Sequence, residues 1–343
     1  MLWNIYYAKK NFVIDETKGC LNDPRQFIWV SWEHQDKIAF SYNGNIIFLN
    51  QTQFEENFPK SSVSTKWLKK VALSVIRPLM SRVAASKNPN LSSFKDKGSA
   101  DILDILHQDN DYDSFNVQFN KQDELFTTAR TELFHEKIKD FVERYPNATI
   151  VNIWWGLNPN IWPKMFDGEL KSNNVVFYNI DLPEVYKIQK KVLEKSKNQI
   201  LIWKSIFDFS WINQISKDRK ILFVAEWMIM YFTKDQIEKL FLKIADNFPW
   251  SEIIFEAPSA LVKYLSRFDP DLKETKTPFQ FSISSGRKIE KRDSKWRITF
   301  VDESPLIKKH TDQRWILGSL HDKPIIGKLI QSMKKIIHLK IKE

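Results

Sequence analysis

With 343 residues, of which 43% are apolar and 14% aromatic, the chain has the material for one large or two ordinary domains, which excludes a disordered tail. Its formal charge of +10, from 52 Lys+Arg against 42 Asp+Glu, raises an anionic partner, but no recognised nucleic-acid-binding motif accompanies it. Cys20 as the sole cysteine excludes internal disulfides and a thiolate metal cluster, and the six histidines (34, 107, 135, 310, 321 and 338) show no pairing at metal-ligand spacing.

Met1 to Lys10 carries its lysines after the apolar residues, with no small-residue cleavage site, and no run approaches 18 apolar residues; neither a signal peptide nor a membrane span is supported, and the cytoplasm is the expected location. Strand-type alternation follows at Phe27 to Trp32, Lys37 to Tyr42 and Asn45 to Leu49, and Asn43-Gly44 is a type I′ hairpin signal. Three short strands bury little by themselves, so this meander is expected to pack on the main body or on a partner. Residues 55–65 read as a linker. The period then becomes helical, with Trp67, Leu68, Val71, Val75, Leu79 and Val83 on one face. Ser99 caps a short helix, and a long helical pattern runs from Asp123 to Arg144, before Pro146. We expect residues 1–64 to form the meander and linker, 65–145 a helical lid, and 146–343 an α/β domain.

From Thr149 strands and helices alternate, which argues for a mostly parallel doubly wound sheet. Strands are expected at Thr149 to Trp154, Val175 to Asn179, Ile200 to Trp203, Ile221 to Ala225 and Glu252 to Glu256. Helices are expected near Pro183 to Lys195, Thr233 to Asn247 and Ala260 to Phe268. Trp296 to Val301 and Lys335 to Ile341 read as a closing pair with an antiparallel reversal. The lysines alternating along Lys335 to Lys342 resemble the protective charges of an edge strand.

In such a sheet the residues past successive strand ends converge on one crevice. They are Gly156 and Asn158 after the first strand, Asp181 after the second, Asp208 after the third and Glu226 after the fourth. Asp181 lies 25 residues beyond Gly156, a placement suited to ribose hydroxyls; it equally suits a cap for the helix that follows Leu182-Pro183. No Gly-x-Ser-x-Gly elbow or Walker loop occurs, and Met228 and Met230 read as core.

Several blocks resemble one family in the same order: Thr128 to Phe134, Val151 to Asn158, Tyr178 to Val185, Asp208 to Trp211, Phe223 to Phe232, Ser285 to Lys291 and Ile336 to Leu339. They look like the leucine carboxyl methyltransferase family, and most like its bacterial branch similar to polyketide O-methyltransferases. The resemblance spans about Leu73 to Ile341 and leaves out residues 1 to about 65. It implies a class I methyltransferase-like doubly wound sheet of seven strands, the last antiparallel, with an N-terminal helical lid and S-adenosylmethionine as cofactor, without a metal. By position, Arg130 would hold the methionine carboxylate, Gly156 would belong to the glycine turn, and Asp181 would take the ribose hydroxyls. Asp208 and Phe209 would frame the adenine, Glu226 would lie beside the methionine amino group, and Tyr231 would face the substrate.

The chain departs from the family at the turn, where Asn-Leu-Gly-(Ala or Cys)-Gly-Leu-Asp-Thr-Arg is replaced by Trp154, Trp155, Asn158, Pro159 and Asn160 at the first glycine, the small residue, the acid, the threonine and the arginine; Trp227 stands at another usual glycine. An indole in a packed site displaces either the ligand or the backbone. Two arrangements follow: Trp154 points into the crevice, with Trp227 sharing one emptied pocket, or Trp154 turns into the core and Trp155 into the helix layer. The first functional reading is O-methylation of a small molecule or modified peptide. The second is a cofactor-less relative that holds a protein partner, with the meander as its docking element. RNA methylation rests on charge alone.

Overall fold

Period-2 runs and amphipathic stretches become strands and helices in the computed structural model, which describes residues 5–6, 28–32, 37–42, 45–50, 78–88, 96–107, 121–154, 156–157, 174–183, 185, 189, 198–269, 272, 278–292, 297–306 and 333–342. The chain divides into two compact units, Met1–Ala72 and Leu73–Glu343. In the first, β1 (Ile5–Tyr6), β2 (Ile28–Trp32), β3 (Lys37–Tyr42) and β4 (Asn45–Asn50) form an antiparallel sheet in chain order. Tyr42 pairs with Asn45, so Asn43-Gly44 is the two-residue connection that its composition predicts. The meander has four strands rather than three, because the two residues of β1 are too few to show a period.

The second unit opens with helices α1 (residues 78–87), α2 (Lys97–His107) and α3 (Lys121–Arg144); the expected helical residues 65–77 lie outside the described residues. It continues through β5 (Thr149–Ile153), β6 (Val176–Asp181), β7 (Gln199–Trp203), β8 (Ile221–Ala225), α4 (Lys234–Asn247), β9 (Glu252–Pro258), α5 (Ala260–Leu265), α6 (Arg287–Arg292), β10 (Ile298–Pro305) and β11 (Lys334–Ile341). Of the expected helix 183–195 only parts are described.

The seven strands order as β10-β11-β9-β8-β5-β6-β7. β9, β8, β5, β6 and β7 are mutually parallel, and β11 runs antiparallel to both of its neighbours. This is the doubly wound, class I methyltransferase-like arrangement, with β5 at the reversal of strand order, where β6 and β8 flank it. β5 and β8 are buried along their whole length, which explains their unbroken apolar runs.

The sheet separates two cores. On one face Phe134, Ile138, Phe141 and Val142 of α3 cover Ile150, Leu222 and Ile254. On the other, Ile237, Leu240, Phe241 and Ile244 of α4 cover Val151, Phe223 and Ile253. Thr233 and Gln236 close a capping box at the start of α4, worth about 1 kcal/mol. Trp211 is fully buried, stacks on Phe248 at 6.2 Å and donates its indole N–H to the carbonyl of Ile206 (2.9 Å). No helix among the described residues is long and apolar enough to cross a membrane.

One expectation is overturned. β11 is not an edge strand: it is inserted between β9 and β10, and Lys335 is buried, donating to the Ser284 carbonyl (2.7 Å) and Glu303 (3.1 Å). The same Lys/apolar alternation arises at an edge and in an interior strand whose lysine finds a carboxylate on its neighbour.

Candidate active site

The ends of β5, β6, β7 and β8 lie side by side because the strands are parallel and in register, so their last residues open onto one end of the sheet. Beyond β5, Trp154 still donates its backbone N–H to Ile180 of β6 (2.8 Å), but its φ is 65°, and Gly156 has φ 62°. Trp227, two residues past β8, has φ 53°. The left-handed backbone is therefore kept at both positions where the family resemblance places a glycine, and a tryptophan carries it at a cost of about 1 kcal/mol or more each.

Asp181 is the last residue of β6 and is buried. It accepts from the Gly156 N–H (2.6 Å), from Gln189 Nε2 (3.1 Å) and from the Leu182 N–H (2.8 Å). Gln189 also donates to the Gly156 carbonyl (2.5 Å), so the expected ribose acceptor is also the clamp of the turn. The sequence reading missed Gln189; its spacing of eight residues from Asp181, about two helical turns, is the available signal.

Arg130, on the buried side of α3, donates from Nε to Glu226 Oε1 (2.8 Å). A second carboxylate, Glu256 of β9, lies 3.9 Å from the same nitrogen. The Trp227 ring lies 4.7 Å from the guanidinium and 4.6 Å from the Lys334 ammonium, with Phe279 edge-on at 6.2 Å. Burial pulls the Arg130 pKa down, but Glu226 and Glu256 outweigh it and leave it raised. Glu256 is fully buried, and neither of its oxygens has a hydrogen-bond partner among the described residues. Burial first, and then Glu226, raise its pKa against the pull of Arg130 and Lys334. Its signal in the sequence is a lone acid inside Ile253-Ile254-Phe255-Glu256-Ala257.

Arg82 is a further buried cation that the sequence reading passed over, although it sits between Leu79 and Val83 of an apolar helix face. It donates to the Leu157 carbonyl (3.0 Å) and to Ser99 Oγ (3.0 Å), and pairs with Asp96 at 3.2 Å, tying α1 to the turn after β5. Burial lowers its pKa, with Asp96 opposing.

Asp208 is exposed and accepts from the Ser210 N–H (3.1 Å), capping a 3₁₀ turn. Burial pushes its pKa up, but the Ser210 hydrogen bonds and Lys204 leave it lowered. Phe209 lies under Lys239 and Lys243 of α4 (5.6 and 6.0 Å), and it is Phe207 that meets Phe232 edge-on at 4.8 Å. Tyr231 packs edge-on to Phe279 at 5.5 Å. Trp155 and Asn158 lie outside the described residues.

The half-buried Trp154 indole packs on the α4-side core and meets Phe232 at 6.3 Å, so it bridges the loops after β5 and β8. Trp227 belongs to a separate cluster with Met230, Val262 and Phe279, beside Arg130. The two rings therefore do not fill one shared pocket. The ring that lies against Arg130 is Trp227, not Trp154.

The donor set suits an amino-acid moiety joined to a ribose. One guanidinium and one carboxylate match a zwitterion, and the orphaned Glu256 oxygens mark an unmet polar demand beside them. Among the described residues no group of three or more His, Cys, Asp or Glu is placed to hold a metal.

No family model matches the chain. It is 19% identical over 220 residues to the tetracenomycin polyketide synthesis O-methyltransferase TcmP of Streptomyces glaucescens, covering 62% of this chain and 79% of that protein. It is 23% identical over 229 residues to the S-adenosyl-L-methionine-dependent methyltransferase dpfgK of Gibberella zeae, covering 62% of this chain and 75% of that protein. A solved DUF574 family protein from Streptomyces avermitilis aligns with a TM-score of 0.47 at 11% identity, over 64% of this chain and 85% of that one. The strand order is class I methyltransferase-like, and in sequence the chain is similar to S-adenosylmethionine-dependent methyltransferases, including a polyketide O-methyltransferase, in line with the resemblance to the leucine carboxyl methyltransferase family.

Proposed function

We propose that this protein is an S-adenosylmethionine-dependent methyltransferase that methylates an oxygen of a small molecule. The observation that carries the reading is the pair of buried Arg130 and half-buried Glu226 beside the reversal of strand order, a guanidinium and a carboxylate poised to receive the two charges of an amino acid. Bound there, the cofactor supplies a sulfonium methyl group for transfer to a nucleophilic oxygen. Arg130 would hold the ligand carboxylate and Glu226 the ligand ammonium. Asp181 would take the ribose, with Gln189 holding the turn in place. Asp208 and Phe209 would take the adenine side, and Tyr231 would face the acceptor. The transfer itself needs in-line positioning more than a general base. Residues 65–120 and 258–295 supply acceptor specificity in this reading.

A second reading is favoured by one observation: Trp227, in a backbone conformation suited to glycine, stacks against Arg130. There the protein is a methyltransferase relative that has given up the cofactor and binds a protein partner through residues 1–64. Calorimetric titration separates the two. Under the first reading S-adenosylmethionine binds at micromolar to millimolar concentration and raises the melting temperature. Absence of heat and of any thermal shift at millimolar cofactor, with a stable partner in pull-downs, selects the second.

A further inference from the structure

Most large apolar side chains of the sheet and its helices are buried, but α5 turns several outward. Leu261, Tyr264, Leu265 and Phe268 are 37%, 55%, 47% and 61% exposed, and they recur at i, i+3, i+4 and i+7, which is one face of a helix. The coil continues past Leu265, because the Arg267 and Phe268 N–H groups donate to the carbonyls of Tyr264 and Leu265 (3.3 and 2.9 Å). Tyr264 and Phe268 meet edge-on at 5.5 Å, so these residues form a strip. The other exposed large apolar residues of the described chain, Ile200, Trp250 and Val301, stand singly in β7, ahead of β9 and in β10, as such residues ordinarily do.

The inner face of α5 is committed. Val262 is buried with Met230 and Phe279, against which Trp227 and Tyr231 pack, and Ser266 Oγ accepts from the Phe279 N–H (3.0 Å). Lys263 and Arg267, four residues apart, flank the strip, and Asp269 at its end accepts from the Leu272 N–H (3.1 Å). Farther along, Asp271, Lys273, Glu274 and Lys276 add no net charge. An apolar strip with cations along its edge suits a bilayer surface with anionic headgroups, where rings and leucines enter the acyl boundary while lysine and arginine stay outside it. A second copy fits less well: seated strip on strip, it brings two positive flanks into one contact, which like-charge repulsion opposes.

We propose that α5 docks this protein on an anionic lipid bilayer: Leu261, Tyr264, Leu265 and Phe268 enter the interface, and Lys263 and Arg267 rest at the headgroups. The helix is too short to span a bilayer and lies in its plane. Its other face walls the cluster that holds Trp227 and Tyr231, so docking sets that part of the crevice against the lipid. On the methyl-transfer reading this is the acceptor side, the position from which a lipophilic acceptor is reached. Docking itself needs no cofactor, so the failure of either reading leaves the other standing.

The test is co-sedimentation of the full chain with sucrose-loaded vesicles, of phosphatidylcholine alone and of phosphatidylcholine mixed with phosphatidylglycerol, at low and high salt. The expected result is stronger binding to the anionic vesicles, reduced by salt but not abolished, because salt screens the cations and not the apolar contact. Leu265→Ser combined with Phe268→Ser keeps every charge and is expected to weaken binding to anionic vesicles about tenfold or more, since two large side chains leave the apolar contact. Both positions are exposed, so the melting temperature should stay near that of the wild type and report that the variant is folded. Lys263→Gln combined with Arg267→Gln is expected to weaken binding to the anionic vesicles about tenfold and to leave the neutral ones unchanged. Unchanged binding by the serine variant means that net charge alone holds the protein to vesicles and overturns the inference, as does equal binding to both vesicle types or binding to neither. A wild-type dimer in light scattering that the serine variant turns monomeric, without vesicle binding, assigns the strip to a second copy instead.

Discussion

Trp227 sets two effects of opposite sign against each other. Its φ of 53° costs about 1 kcal/mol or more, while its ring gains from Arg130, Lys334 and Phe279, with exposed-to-buried cation–π contacts worth about 0.5–2 kcal/mol each. Trp227→Gly therefore shifts stability by less than about 2 kcal/mol in thermal denaturation, well below the usual loss for a buried tryptophan. It uncovers Arg130, so calorimetric affinity for S-adenosylmethionine is expected to rise, and an unchanged or lower affinity would remove Trp227 as an obstruction. Glu226→Gln acts differently, since it leaves Arg130 buried with only Glu256 at 3.9 Å. We expect a loss of about 3 kcal/mol in urea denaturation, with most of it recovered when Arg130→Met is added. The positions of Asp181, Asp208 and Glu226 at successive strand ends were legible because strand ends are readable from local patterns, whereas Arg130, inside α3, was singled out only by the family resemblance. Their partners were not, because a side chain chooses among groups brought near by the fold. Arg82, Gln189 and Glu256 each left a trace, a polar residue on an apolar face, which points to a buried network without naming it.

At the scale of elements, the junction of β9, β11 and β10 is held by charges. Glu252 accepts a bidentate pair from Arg144 (3.0 and 2.9 Å) and meets His338 Nε2 at 2.8 Å, while Asp302 lies 3.7 Å from His338 Nδ1 and 2.5 Å from Lys137. Burial opposes the ionisation of Glu252, but His338 and Arg144 bring its pKa to about 2; the His338 hydrogen bond, with Lys137, brings Asp302 to about 2. Burial lowers the His338 pKa, and the two carboxylates more than reverse it, leaving it above 6.5. The two acids thus contribute stability above the ordinary carboxylate range of about 4, lost as pH falls toward 2. His338 contributes below pH 6.5, and that part is lost as pH rises through its raised pKa. Urea midpoints of the wild-type protein should peak between these limits and decline on the alkaline side, and His338→Gln should flatten that alkaline decline. A profile of unchanged shape in the variant would exclude His338 as its source. Gly286, before α6, is a packing position: a Cβ there would meet Ile337 Cγ2 at 2.6 Å and Phe300 Cδ2 at 2.7 Å. Ile337 is buried in β11 and has little room to yield, so Gly286→Ala should cost about 1–3 kcal/mol by overpacking, read as a lower melting temperature.

Across the whole molecule, the contacts separate at Ala72 and Leu73, and both sheet-face cores lie in Leu73–Glu343. A fragment of residues 73–343 is expected to unfold in one cooperative transition by calorimetry; a broad or multiphasic melt would mean that residues 1–72 are part of its stability. Local pattern alone determined the alternation of buried strands with amphipathic helices, the Asn43-Gly44 connection, and the acids at successive strand ends. Those features follow from periodicity and turn chemistry within a few residues. Only the tertiary structure decided that β11 lies inside the sheet with Lys335 buried on Glu303, that Trp154 and Trp227 fall in separate clusters, and that Glu226 holds Arg130 while Glu256 is left without a hydrogen bond. The physical reason is that strand order and ion pairing join residues far apart in the chain, so the electrostatic state of each group is set by neighbours that its own segment does not contain.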